Sequence, residues 1–142
     1  MSKSRALTTW PLRIATGAFI INSGMEKLGA DAETAAQTHG FASAAYPFLA
    51  DVPAEEFNKA LAIAETVIGA ALLIPGVPAR VAGTGLTAFA AGLVGLYLRA
   101  PGLRQEGSLR PTPDGIAIAK DAWLLGAGVS LVAFDRYRRK HR

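Results

Sequence analysis

The chain has 142 residues, a net charge of +4 and no cysteine. This length suits one domain, and we expect residues 1–142 to form a single one. Hydrophobic residues make up 51% and charged residues only 18%, against about 25% in an average soluble domain, so the composition excludes disorder and favours a membrane protein. Without cysteine the chain can form no disulfide and can supply no thiolate to an iron–sulfur cluster.

Four apolar segments approach the length of about 20 residues with which an α-helix spans a bilayer. They cover residues 10–28, 57–74, 80–98 and 116–134. The third is the clearest, because 81–98 carries no charge, whereas ionisable residues interrupt the other three. A soluble four-helix bundle is the alternative, but its helices would each carry a polar face, which the third segment lacks. We therefore predict an all-α fold, an integral membrane four-helix bundle.

Small residues support this interpretation, because they let membrane helices approach one another closely. They recur at every fourth position in the third and fourth segments, at Gly83, Thr87, Ala91 and Gly95, and at Ala122, Gly126 and Ser130. Soluble helices gain little from glycine in their interior. The pattern predicts close helix contacts through these residues.

The connecting segments predict how the four helices are joined. Residues 29–52 are long for an unstructured connection, and their Ala-rich middle with Phe41, Tyr46 and Phe48 predicts a short interfacial helix in the first outer loop. Residues 75–78 read Pro-Gly-Val-Pro, a tight turn that predicts antiparallel packing of the second and third helices. Residues 99–114 contain arginines, prolines and acids, which indicate an exposed loop.

Polar residues inside the apolar segments gather toward one predicted side of the membrane. A charge at a helix centre costs about 2.5–3.5 kcal/mol on insertion scales, so Glu65 should be paired, protonated or functional. We predict an intramembrane polar pocket around it, with Lys27, Lys120 or Asp121 within reach of its carboxyl group. The predicted members of the pocket are Asn22, Glu26, Lys27, Glu65, Lys120 and Asp121.

Three interpretations of this pocket stay open at the level of sequence. It could be a salt-bridge network that only fixes helix packing, a site for a polar or quinone-like head group, or a surface that docks another membrane protein. Arg13 lies at the opposite, inner end of the first segment, where we expect its long side chain to extend toward the membrane surface.

Other chemistry finds little support in the residues. His39 lies in a connecting segment and His141 in the basic tail, so the chain offers no haem, zinc or iron–sulfur ligand set. No phosphate-binding loop, dinucleotide fingerprint or nucleophile elbow occurs. The positive charge does not point to nucleic acid, because five of the 15 Lys and Arg residues follow the last apolar segment, as in a cytoplasmic membrane flank.

Several motifs, in order along nearly the whole chain, resemble those of one family. Residues 12–19 and 23–28 read LRIATGAF and SGMEKL, residues 64–73 read AETVIGAALL, and residues 119–126 read AKDAWLLG. Together they resemble the first, second and fourth helices of the DoxX family of small four-helix membrane proteins, in particular DoxX-like proteins from actinobacteria.

The resemblance implies a fold and a class of role. The family takes its name from a subunit associated with thiosulfate:quinone oxidoreductase, which implies an accessory or quinone-associated subunit of a membrane oxidoreductase or oxidative-stress complex. A quinone is then the possible cofactor, and the partners would be the lipid bilayer and a membrane or redox protein, or further copies of the chain. The alternatives are a binder or carrier of a small lipophilic molecule and a purely structural scaffold.

The Lys and Arg residues predict an orientation in the membrane. With both termini inside, the inner side holds nine of them and the outer side six, which places both termini in the cytoplasm of a multi-pass protein of the cell membrane. Reporter fusions at the two termini should therefore be accessible from the same, cytoplasmic side. Accessibility from opposite sides would require an odd number of spans and contradict this topology.

Overall fold

The computed structural model describes the backbone of residues 3–141 and the side chains of residues 8–141. This part of the chain is helical and contains no β-strand, which confirms the prediction of an all-α protein. The helices are α1 (Lys3–Leu28), α2 (Ala32–Ala45), α3 (Ala54–Leu73), α4 (Ala79–Arg99), the single turn α5 (Ile116–Ala119) and α6 (Asp121–Lys140). Short 3₁₀ helices at Pro47–Asp51 and Pro113–Gly115 precede α3 and α5.

Two helical stretches of the described chain are long and apolar enough to cross a membrane, Ala79–Arg99 and Pro113–Lys140. Only 28% and 22% of their apolar windows are buried inside the protein, whereas the core helix of a soluble protein would be mostly buried. They match the third and fourth predicted spans. The helices α1 and α3 occupy the positions of the first and second, and ionisable residues in both make them less apolar.

Glycines set the packing of the long helices, which associate as α1 with α3 and α4 with α6. A Cβ atom at Gly17 of α1 would lie 3.1 Å from the carbonyl oxygen of Gly69 in α3. In the second pair, a Cβ atom on Gly83 or Gly128 would lie 3.0 Å from the carbonyl oxygen of the other. Both pairs therefore depend on backbones that approach without side chains between them.

The small-residue prediction was right for Gly83 and Thr87 in α4 and wrong for α6, while Ala91 is exposed and Gly95 lies against Tyr46. Gly83 and Thr87 lie against α6, but their counterpart is Gly128, and a Cβ atom on Gly126 would meet nothing within 4 Å. The tight turn does join α3 to α4, yet these two helices contact each other less than each contacts its glycine partner. Chain connectivity alone did not identify the nearest neighbours, because the closest contacts follow the buried glycines.

Two apolar clusters hold the helices together. The larger lies between the long helices and is centred on the fully buried Ile20, Leu72, Leu86 and Leu131. The smaller forms where the connection after α4 folds back, with Leu103 only 1% exposed. The predicted exposed loop is thus partly folded into the protein, because Leu103 supplies an apolar anchor among the polar residues of that segment.

The helix predicted in the first connection is present as α2. Asp31 caps it by accepting a hydrogen bond of 2.8 Å from the backbone N–H of Thr34, and this bond lowers the pKa of Asp31. The hydroxyl of Tyr46, just after α2, donates a hydrogen bond of 2.8 Å to the carbonyl of Gly92 in α4. This bond connects the first connection to α4.

Substitution of Gly128 by Ala should destabilise the protein, because the new methyl group would lie 2.8 Å from the backbone nitrogen of Thr87. Overpacking of this kind costs about 1–3 kcal/mol in the free energy of unfolding. The matched control is Gly126→Ala in the same helix, where open space should let the better helix former add about 0.5–1 kcal/mol. Denaturant unfolding in detergent micelles measures the free energy of unfolding of both variants. Equal values for Gly128→Ala and Gly126→Ala would contradict the packing described for α4 and α6.

Candidate functional site

Glu65 faces the interior because it belongs to the buried stripe of α3. That stripe follows the helical repeat through Asn58, Ala62, Glu65, Gly69 and Leu72. Its apolar members pack against neighbouring helices, so the carboxyl group is carried inward with them. Only 3% of Glu65 is exposed.

Lys27, in the last turn of α1, pairs with this carboxylate. Its Nζ lies 3.1 Å from Oε1 of Glu65 and also donates a hydrogen bond of 2.8 Å to Oγ of Ser23, one turn earlier in α1. The predicted pairing of Glu65 with one of three candidates is confirmed, with Lys27 as the partner. The second carboxylate oxygen, Oε2, is buried and has no hydrogen-bond partner among the described residues.

The ion pair borders a cavity of about 540 Å³ between the helices. Its walls are mostly apolar and strongly aromatic, and its polar groups are few. The aromatic lining residues are Phe19, Phe41, Tyr46, Phe57 and Phe89, and the polar ones include Ser23, Lys27, Thr38, Glu65 and Asp121. A lipophilic molecule that carries one polar group would match this distribution.

Three of the predicted pocket residues meet at this cavity and three do not. Asp121, at the start of α6, lines it together with Lys27 and Glu65 and interacts electrostatically with both. Asn22 and Glu26 are exposed, and Nδ2 of Asn22 donates a hydrogen bond of 3.3 Å to Oε1 of Glu26. Asn22 and Glu26 each precede by one residue the cavity-lining Ser23 and Lys27. Their side chains therefore lie on a different face of α1, turned away from the cavity.

Lys120 is also exposed and does not line the cavity. It stands at the junction of α5 and α6, where its backbone continues the helix while the next residue, Asp121, faces inward. Adjacent residues on a helix point about 100° apart, and here Lys120 is the one of the pair that points toward the surface.

Arg13 lies at the other end of α1 and is buried, with only 3% exposed. Its guanidinium binds the C-terminal carbonyls of α3, with Nε donating to Leu72 at 2.8 Å and Nη2 to Ala71 at 2.9 Å. The expectation that it extends toward the membrane surface is corrected. A cation at a helix C-terminus satisfies carbonyls that lack partners within the helix, and this explains its burial.

The sequence analysis missed Asp135 and the aromatic lining. Asp135 is buried near the end of α6, where one oxygen lies 3.1 Å from Nη2 of Arg138 and the other 3.7 Å from Nε of Arg139. An acid followed by basic residues at the third and fourth positions was a readable signal for this pair. Phe41 and Tyr46 were expected only at the membrane boundary, because their part in the cavity depends on where α2 packs.

Groups of three or more His, Asp or Glu side chains that could hold a metal ion are absent from the described residues. Comparison of the chain with protein-family models, with curated proteins and with solved structures gave no match. A functional proposal therefore depends on the cavity and on the residues that line it.

Removal of Lys27 should destabilise the fold, because it leaves a buried carboxylate without its cation. Breaking one side of a buried pair costs about 3–5 kcal/mol, and since the lysine side chain is 23% exposed we expect Lys27→Met to lie near the lower end. The double variant Lys27→Met/Glu65→Leu should recover most of this loss, as apolar replacements of buried pairs often do.

The matched control is Lys59→Met, an exposed lysine on α3 with no ion pair among the described residues. Its free energy of unfolding should change by less than about 0.5 kcal/mol. Denaturant titration in detergent micelles gives the free energies of unfolding of the unmodified protein and of the three variants. Equal effects of the Lys27 and Lys59 substitutions would show that the pair contributes nothing to stability.

Proposed function

We propose that this protein is an integral membrane four-helix bundle, with α1, α3, α4 and the stretch from α5 to α6 as its spans. Beyond the two strongly apolar stretches, α1 and α3 also present large apolar side chains outward. Ile14, Ile63 and Val67 are each 50–62% exposed, an arrangement that water disfavours and lipid accepts. The positive-inside distribution supports cytoplasmic termini, with α2 at the outer interface.

The proposed function is the binding of a lipophilic molecule with a polar head group in the cavity beside Lys27 and Glu65. The observation that carries it is that Glu65 lines the cavity while its Oε2 is buried with no hydrogen-bond partner among the described residues. A buried carboxylate oxygen of this kind can accept a hydrogen bond from a bound hydroxyl group. The aromatic walls would hold the ring or chain of the same molecule.

A quinol fits these requirements, since its ring can lie among the aromatic side chains and its hydroxyl can donate to Glu65. The ammonium group of Lys27 would donate a hydrogen bond to the carbonyl of the oxidised quinone. We therefore propose a quinone-associated, accessory role in a membrane oxidoreductase or oxidative-stress complex, in keeping with the DoxX-like motifs. The chain has no thiol, and a partner protein would exchange electrons with the quinone.

A structural scaffold is the second candidate, favoured by the same ion pair. The pair joins α1 to α3 across the outer half of the molecule, while Arg13 joins them near the other end of α3. A protein that only needed these two clamps would tolerate apolar substitutes at Lys27 and Glu65 together.

The test compares Glu65→Gln and Glu65→Leu in the full chain purified in mild detergent. The probe is a hydroquinone with a decyl tail, with binding followed by quenching of tryptophan fluorescence. Loss of the charge-assisted hydrogen bond should weaken binding about tenfold or more in both variants while they stay folded. Glu26→Gln is the matched control, an exposed glutamate on α1 that does not line the cavity and should bind as the unmodified protein does.

Two results would contradict the proposal. Wild-type affinity in a folded Glu65→Gln protein would remove the carboxylate from the binding site. Unchanged or higher thermal stability of the double variant Lys27→Met/Glu65→Leu, without any binding of the hydroquinone by the parent protein, would favour the scaffold. Mass spectrometry of lipids and proteins that copurify with the chain would then identify its partners.

A further inference from the structure

A second concave surface lies between α4 and α6, an open groove of about 450 Å³. It is distinct from the cavity, although Ala88 borders both. Small and branched side chains form it, with one charged residue among them. The groove is lined by Thr84, Thr87, Ala88, Ala91, Val129, Val132, Ala133 and Arg136.

The groove offers almost no polar group along its length. The hydroxyl of Thr84 donates a hydrogen bond of 2.6 Å to the carbonyl of Arg80, and that of Thr87 one of 2.7 Å to the carbonyl of Gly83. Both threonines thus use their donors within α4. A molecule in the groove would meet an apolar surface until it reaches Arg136 near the end of α6.

Arg136 differs from the arginines that follow it. Asp135 takes Arg138 and Arg139 as its ion-pair partners, whereas Arg136 has neither a hydrogen bond nor an ion pair with the side chains described here. Arg80 lies one turn before Thr84 on the same face of α4 and adds a second cation to this end of the groove. Residues 136–142 contain no acid, so positive charge is in excess there.

We propose that the groove binds one anionic phospholipid of the leaflet that contacts the C-terminal end of α6. Its acyl chain would follow the apolar floor, and its phosphate would accept hydrogen bonds from the guanidinium of Arg136. Charge complementarity favours this occupant over a second copy of the chain, which would bring a further group of arginines to the same place. The proposal rests on the membrane insertion proposed above and is independent of the ligand of the cavity.

The experiment uses the full chain in mild detergent and native mass spectrometry with two lipids of identical acyl chains, phosphatidylglycerol and phosphatidylcholine. The unmodified protein should bind one phosphatidylglycerol about tenfold more tightly, because its head group is a net anion, whereas the choline of phosphatidylcholine places a cation beside Arg136. Arg136→Gln should remove this preference, so that the two lipids bind with similar affinity. Ala91→Leu, which fills the groove but keeps the charge, should weaken the binding of both lipids.

Lys140→Gln is the matched control, an exposed cation of the same tail that lies outside the groove. It should keep the preference for phosphatidylglycerol. An equal loss in Lys140→Gln and Arg136→Gln would mean general attraction to the tail and overturn the site. A shift between monomer and dimer in Ala91→Leu, with lipid binding unchanged, would make the groove an interface between copies and overturn it as well.

Extraction of membranes with alkaline carbonate separates this proposal from the proposed function. Release of the protein into the soluble fraction would show that it is not inserted, and both proposals would fail. Retention together with equal affinity for the two lipids would overturn the groove alone. Retention, selective phosphatidylglycerol binding and no hydroquinone binding would support the groove and contradict the ligand proposed for the cavity.

Discussion

The ion pair between Lys27 and Glu65 is the interaction around which the half of the molecule near the C-terminal end of α1 is arranged. A carboxylate that is 97% buried is tolerable only with a cation beside it, and Nζ of Lys27 supplies one at 3.1 Å. For the two side chains to meet, α1 and α3 must lie close together, and the contacts of Gly17 and Gly24 with α3 make this possible. The same contacts therefore fix both the register between α1 and α3 and the position of the ion pair beside the cavity.

Buried charged residues have different kinds of partner at the two ends of the helices. Near the C-terminal ends of α3 and α6, the guanidinium of Arg13 donates hydrogen bonds to carbonyls at the end of α3, and Asp135 is paired within its own helix. Each of these charges meets partners that lie nearby in sequence or at a helix end. Near the C-terminal end of α1, Glu65 uses one oxygen for Lys27, and its side chain lines the cavity of about 540 Å³. The size and the aromatic walls of this cavity are the reason for assigning binding to this end.

The helix α4 stands between the two proposed binding surfaces. Ala88 borders both the cavity and the groove, so α4 forms part of the wall of each. Larger residues at that position would narrow both. The small side chains of α4 thus serve the close contact with Gly128 of α6 and also leave room for ligands on either side of the helix.

The sequence by itself determined the helical class, the approximate bounds of the long helices, the presence of α2 and the pairing of Glu65 with a nearby charge. These depend on local periodicity, on proline and glycine at the turns, and on the cost of an isolated buried charge, all of which can be read along one chain.

Only the tertiary structure decided which faces meet. In the folded protein, Gly128 rather than Gly126 contacts α4. Asn22, Glu26 and Lys120 point away from the cavity, whereas Phe41 and Tyr46 line it. Arg13 is buried against α3. A shift of one residue rotates a helical side chain by about 100°, and the rotation of each helix is fixed by packing against partners distant in sequence.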